Sequence, residues 1–166
     1  MLQRLTVSTE ARLDPRWFSY GATSALVTGM ALVTGLNAAN SERLTIIAGL
    51  LIFAVADNLT DSLSIHVYQE SERLETRAAF RATVANFAAR LSLSFSFVLI
   101  VLLAPVRVAV FAALVWGGLV LCAMTAFLAR IRGVPVTTEI AKHLTLAAIV
   151  IAASKAIGTW LLRILG

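Results

Sequence analysis

The chain has 166 residues, 59% of them hydrophobic and only 14% charged, with a mean hydropathy of +0.86. A single soluble core of that length cannot hide so much apolar side chain, so the composition is that of a membrane protein. The 14 Lys+Arg and 9 Asp+Glu give a net charge of +5, but they sit in short segments beside uncharged runs, where orientation in a bilayer accounts for the basicity and nucleic acid is not implied.

The first residues carry Arg4, Glu10, Arg12, Asp14 and Arg16 without an apolar stretch long enough for a signal-peptide core. They read as an interfacial lead-in to a retained first span. Apolar runs long enough to cross a hydrocarbon layer of about 30 Å then fall at roughly 18–36, 44–68, 91–106, 108–129 and 143–165. The expected fold is therefore all-α: one polytopic domain over 1–166 with five transmembrane helices. Cys122 stands alone in an apolar run, so neither an internal disulfide nor a multi-cysteine metal site can form.

Five spans put the termini on opposite sides, and basic residues are retained in the cytoplasm. With the N-terminus inside, Arg4, Arg12, Arg16, Arg73, Arg77, Arg81, Arg90, Arg130, Arg132 and Lys142 are cytoplasmic, against Arg43, Arg107 and Arg163 outside. That asymmetry predicts a cytoplasmic N-terminus in an inner (cytoplasmic) membrane. In the first span Gly21, Ala25 and Gly29 repeat every four residues, so one helix face is small enough for another backbone to approach. This is a candidate homodimer seam, with packing inside the chain as the equal alternative. Ala113, Gly117 and Gly118 form a weaker pattern of the same kind in the fourth span.

The uncharged part of the second span, 44–56, covers only about 20 Å of helix and gives way to DNLTDSLSIHVYQESERLE. No Gly or Pro interrupts it, which predicts one long helix running on into the cytoplasm. On that helix Asp57, Asp61 and Ser64 share a face, with Asn58 and His66 on the adjacent stripe. Asp57 lies about two-thirds of the way across, where insertion of an aspartate costs about 2.5–3.5 kcal/mol, so such residues mark an ion or proton pathway. Two acids so close repel unless a cation sits between them. Lys155, deep in the last span, is the expected charge partner.

The connection 69–90 alternates acids and arginines at helical spacing and reads as a cytoplasmic helix near the headgroups. His66 with Glu70 one turn on, and the E-x-x-E pair Glu72 and Glu75, are candidate metal ligands; a salt-bridged solvated helix is the default for the latter. Ser92, Ser94 and Ser96 alternate across helix faces and are expected to back-bond to carbonyls. No nucleophile, base and orienter can be assembled from these residues, so no enzyme is expected.

The arrangement resembles the vacuolar iron transporter family, through YGATSALVTGMALVTGL at 20–36, IAGLLIFAVADNLTDSLSIHVYQESE at 47–72 and AAIVIAASKAIGTWL at 147–161. The resemblance implies five spans, a protruding second helix and a homodimer with the metal path at its interface. The chain departs from that family where it matters chemically. Thr23-Ser24-Ala25 stands where the family has N-D-G, and Leu59-Thr60 and Leu63-Ser64-Ile65 stand where it has Ser-Met and Gly-Glu-Tyr. Ser24, at nearly the depth of Asp57, would complete an all-oxygen site with Asp57, Asn58, Asp61 and Ser64, suited to hard cations such as Mn²⁺, Mg²⁺, Ca²⁺ or Fe²⁺ rather than soft ions. The expected function is thus export or sequestration of a divalent metal from the cytoplasm in exchange for protons, without a resident cofactor. The alternatives are a proton-coupled carrier or channel for another solute, and a non-transporting assembly protein on a degenerate transporter scaffold.

Overall fold

The structure, a computed structural model, describes the backbone of residues 15–71 and 76–165 and the side chains from residue 21 onward, apart from 65, 68–71, 76–79, 81 and 82. The expected lead-in over the first fourteen residues and the pair Glu72 and Glu75 lie outside the described residues, as does the side chain of Glu70. Five helices make up the described chain: α1 (Pro15–Ala38), α2 (Arg43–Ser71), α3 (Thr76–Leu103), α4 (Val106–Arg132) and α5 (Val136–Leu165).

Three of the helices end for a visible reason. After α1, Asn40 takes the left-handed conformation (φ 55°) that Asn tolerates better than most residues, and the Ser41 N–H returns to the Leu36 carbonyl at 3.0 Å. Pro105 separates α3 from α4 because it cannot continue a helix. Gly133 closes α4 at φ 66°, its N–H returning to the Arg130 carbonyl at 3.2 Å, and Arg130 and Arg132 lie in the last turn, where cations suit the helix dipole. Across that turn Glu139 meets Arg132 at 3.8 Å, and within α5 it binds Lys142 at 2.8 Å.

Four helices carry segments long and apolar enough to cross a membrane: Arg43–Ser64, Thr83–Leu103, Val106–Arg132 and Val136–Leu165. Their outward residues, among them Leu44, Ile52, Phe111, Leu119, Ile149 and Trp160, are exposed, a surface that only lipid or another apolar partner can cover. The chain is an integral membrane protein. Among the described residues α1 is not one of the four. It is the central helix, packed against each of the others, and its Leu26, Met30 and Val33 form the core with Ile46, Leu50, Phe97, Val101 and Leu121.

α1 can occupy the centre because its faces are small. A Cβ on Gly29 would lie 2.6 Å from the Phe97 ring, and one on Gly21 would strike the Asn86 amide oxygen and the Arg90 side chain. Gly21, Ala25 and Gly29, expected either as a dimer seam or as packing within the chain, are buried within the chain itself, at Gly21 and Gly29 directly against α3. That face is therefore not free for a second copy. The opposite end behaves the same way: a Cβ on Gly158 of α5 would run into the Gly35 carbonyl, and Ser154 Oγ donates to the Ala31 carbonyl at 2.7 Å. Lipid offers helices no hydrophobic reason to associate, so such close backbone contact is what holds α1 and α5 together.

The third predicted span starts too late. The structure runs α3 unbroken from Thr76, so the second half of the 69–90 connection is helix continuous with the span rather than a separate headgroup helix. The hydroxyls of Ser92 and Ser96 do back-bond, to Ala88 and Leu93, while Ser94 turns inward.

Two glycine substitutions separate close packing from mere smallness. Gly158→Val should lower stability by about 1–3 kcal/mol or more through overpacking, whereas Gly118→Ala, whose Cβ meets nothing within 4 Å, should be neutral or stabilising by up to about 1 kcal/mol. Thermal unfolding in detergent, read as a Tm shift for each variant, checks both.

Candidate functional site

Antiparallel pairing of α2 and α3 builds the site. At one end the Arg43 guanidinium bonds the carbonyls at the C-terminus of α3, Val101 at 2.9 Å and Ala104, compensating the negative end of that helix dipole. From there both helices run side by side, and about 20 Å further along, at 1.5 Å per residue, they reach Asp57 on α2 and Arg90 on α3 at the same level.

Arg90 is the organising residue. It is 1% exposed, the largest fully buried side chain of the described residues, and it lies inside the membrane-crossing segment of α3. Nε donates to Asn58 Oδ1 at 2.9 Å, Nη1 to Asp61 Oδ2 at 2.6 Å and to the Gly21 carbonyl at 3.0 Å, and Nη2 to Asp57 Oδ2 at 2.7 Å. Four contacts from a five-donor group nearly exhaust its capacity. Each partner follows from local sequence. Asp57 and Asp61 are one helical turn apart, so both carboxylates reach the same guanidinium. Gly21 has no side chain, so its carbonyl can approach. Asn58 is locked by its own amide donating to the Ala54 carbonyl at 2.6 Å and to Ser94 Oγ at 3.4 Å.

The expected Lys155 partnership is replaced. Lys155 is exposed on α5 and makes no ion pair among the described residues, and the cation between the two aspartates is Arg90. Position explains it: α2 packs chiefly along α3, while α5 lies across α1 and α4. Reading the connection as 69–90 counts Arg90 and its uncharged flank 83–89 with the cytoplasmic segment. The signal that could have found it is the continuous apolar window Thr83–Leu103, interrupted by this one charge.

The remaining expected ligands separate. Asn58 is in the cluster, but as a buried anchor of Arg90 rather than an open cation ligand. Ser24 is exposed on α1, with no described hydrogen bond to the aspartates. Ser64 is exposed and donates to the Thr60 carbonyl at 2.9 Å. His66 lies two turns beyond Asn58, its Nδ1 3.5 Å from Thr83 Oγ1. Among the described residues no three His, Cys, Asp or Glu side chains gather as a metal site. Asp57 and Asp61 are brought together, 47% and 39% exposed, so each is held by Arg90 on one side and open on the other.

With both carboxylates ionised the cluster carries two negative charges against one positive charge. Inside an apolar helical segment that imbalance leaves surplus negative charge on the open side of the aspartates, where a further cation would be favoured. The chain matches no family model, no curated protein and no solved structure.

Removing Arg90 leaves two adjacent acids without their counter-charge. Arg90→Ala should destabilise the fold by about 3 kcal/mol, the lower end for breaking a buried ion pair because the carboxylates are half open. Arg90→Lys should recover only part of that, since one ammonium cannot serve Asn58, Gly21 and both aspartates at once. Tm and the yield of monodisperse protein in detergent measure both effects.

Proposed function

We propose that the protein is a membrane transporter whose ion site is the open side of Asp57 and Asp61, carrying a divalent cation of the Fe²⁺ or Mn²⁺ type out of the cytoplasm in exchange for protons. The observation that carries this is the charge imbalance at the cluster: two half-open carboxylates on α2, one buried guanidinium, and a membrane-crossing position. Oxygen ligands suit hard or borderline divalent ions, and the resemblance of 20–36, 47–72 and 147–161 to the vacuolar iron transporters supports the same cargo.

Arg90 takes the role first expected of Lys155. A cation arriving at the aspartates weakens their bonds to the guanidinium, and its departure restores them, so Arg90 is the resident competitor that keeps binding reversible. The transporter has five spans, α1 included, with the N-terminus, the α2–α3 connection and the α4–α5 connection on the cytoplasmic side of an inner membrane. Arg130, Arg132 and Lys142 support that side. A homodimer in this arrangement meets through the outer faces of α2 or α5 rather than through the buried small face of α1.

A second function is favoured by the near-complete use of the Arg90 donors: a permanent clamp in a non-transporting assembly protein. One substitution separates the two. Asp57→Asn leaves Arg90 paired with Asp61, so the fold is kept while the surplus negative charge is gone. Metal-dependent flux in proteoliposomes, tested with Fe²⁺ and Mn²⁺ under a pH gradient, should be present in the wild type and abolished in Asp57→Asn. Flux unchanged by the substitution removes the site, and no flux from folded wild type selects the clamp.

A further inference from the structure

Along the interface of α2 and α3 the polar side chains form an ordered series. Asn58 meets Arg90 and Ser94, Asp61 meets Arg90, and His66 meets Thr83. These pairs set the antiparallel register, which places Ser62, one turn beyond Asn58, opposite Asn86, one turn before Arg90. Ser62 and Asn86 therefore occupy the level between the His66–Thr83 rim and the Arg90 cluster.

This level is the one place in the series where hydrogen bonding is unmet. Asn86 is 1% exposed, yet neither Oδ1 nor Nδ2 has a partner among the described residues, and the buried Ser62 Oγ also has none. A buried polar group left unpaired costs about 1–3 kcal/mol. Two donors on the Asn86 nitrogen, an acceptor on its oxygen and a hydroxyl that does both match a ligand that donates and accepts at once and is very small. Gly21 of α1 lies directly against the Asn86 amide oxygen, so only a ligand of a few atoms fits. Water meets all of these terms, since a buried water takes two to four polar partners.

We propose that Ser62 and Asn86 bind water taken up from the His66–Thr83 end, and that this hydrated level is the route by which solvent reaches Asp61 inside the membrane. It rests on the transport function above only in taking Asp61 as part of the ion site. The level lies within the apolar segments Arg43–Ser64 and Thr83–Leu103, one turn from the His66–Thr83 pair. A path two turns long therefore suffices, about 11 Å.

The test reads accessibility and needs no transport, so its failure and the failure of the transport function are told apart. In a chain carrying Cys122→Ala, Ser62→Cys is compared with Leu59→Cys, which lies three residues away on the same helix but faces outward, 54% exposed. Both are treated in detergent with hydrogen peroxide, a probe close to water in size that oxidises the hydrated thiolate to a sulfenate and is itself reduced to water. Each unit by which an apolar setting raises a thiol pKa cuts the thiolate about tenfold, so the buried Ser62→Cys should react about tenfold or more faster than the outward Leu59→Cys. Adding Asn86→Leu should slow it by a similar factor. If Ser62→Cys does not fold, Asn86→Cys is read in the same way. A buried thiol that reacts no faster than the outward one overturns the proposal.

Discussion

One buried guanidinium ties α1, α2 and α3 together. An ionised side chain deep in a membrane protein is tolerated only if its charge and its donors are answered, and Arg90 obtains those answers from two helices at once. Two acids one turn apart on α2, an asparagine between them and a bare carbonyl on α1 leave it almost no alternative geometry. The register of α2 against α3 and the closeness of α1 follow from that demand. So does the overcharge of the site, because a group that needs two carboxylates for its geometry needs only one for its charge.

The central helix answers a different physical constraint. In lipid an apolar face gains nothing by meeting another apolar face, so helix association depends on fit and on hydrogen bonds. α1 supplies fit, through Gly21 and Gly29 toward α3 and Gly35 toward α5, and the neighbouring side chains fill the space to normal packing density. The same small residues let α1 sit at the centre, and among the described residues the large apolar side chains that face outward all belong to the helices around it.

Site and scaffold are coupled at Gly21. Its missing side chain admits the Arg90 contact and also bounds the unpaired Asn86 amide, so one residue serves both the charge cluster and the polar seam beside it. A seam of Asn, Ser, Thr and His running from the helix rim to the aspartates is costly in a purely structural interface, where Leu and Ala would pack without unmet hydrogen bonds. Function is the natural reason to keep it.

Much of this was legible in the residues themselves. Long uncharged runs forced helices and a bilayer, because no soluble core could absorb them. The pair Asp57 and Asp61 stood out because helical spacing alone puts two acids on one face where charge is expensive, and the repeat at Gly21, Ala25 and Gly29 announced a close approach. Which partner came close was beyond spacing. The small face turned to α3 rather than to a second copy, and the counter-charge came from Arg90, 33 residues from Asp57 along the chain, rather than from Lys155. Periodicity and composition report what one helix carries on each face; which face meets which neighbour depends on how five helices share one volume, and only their packing decides that.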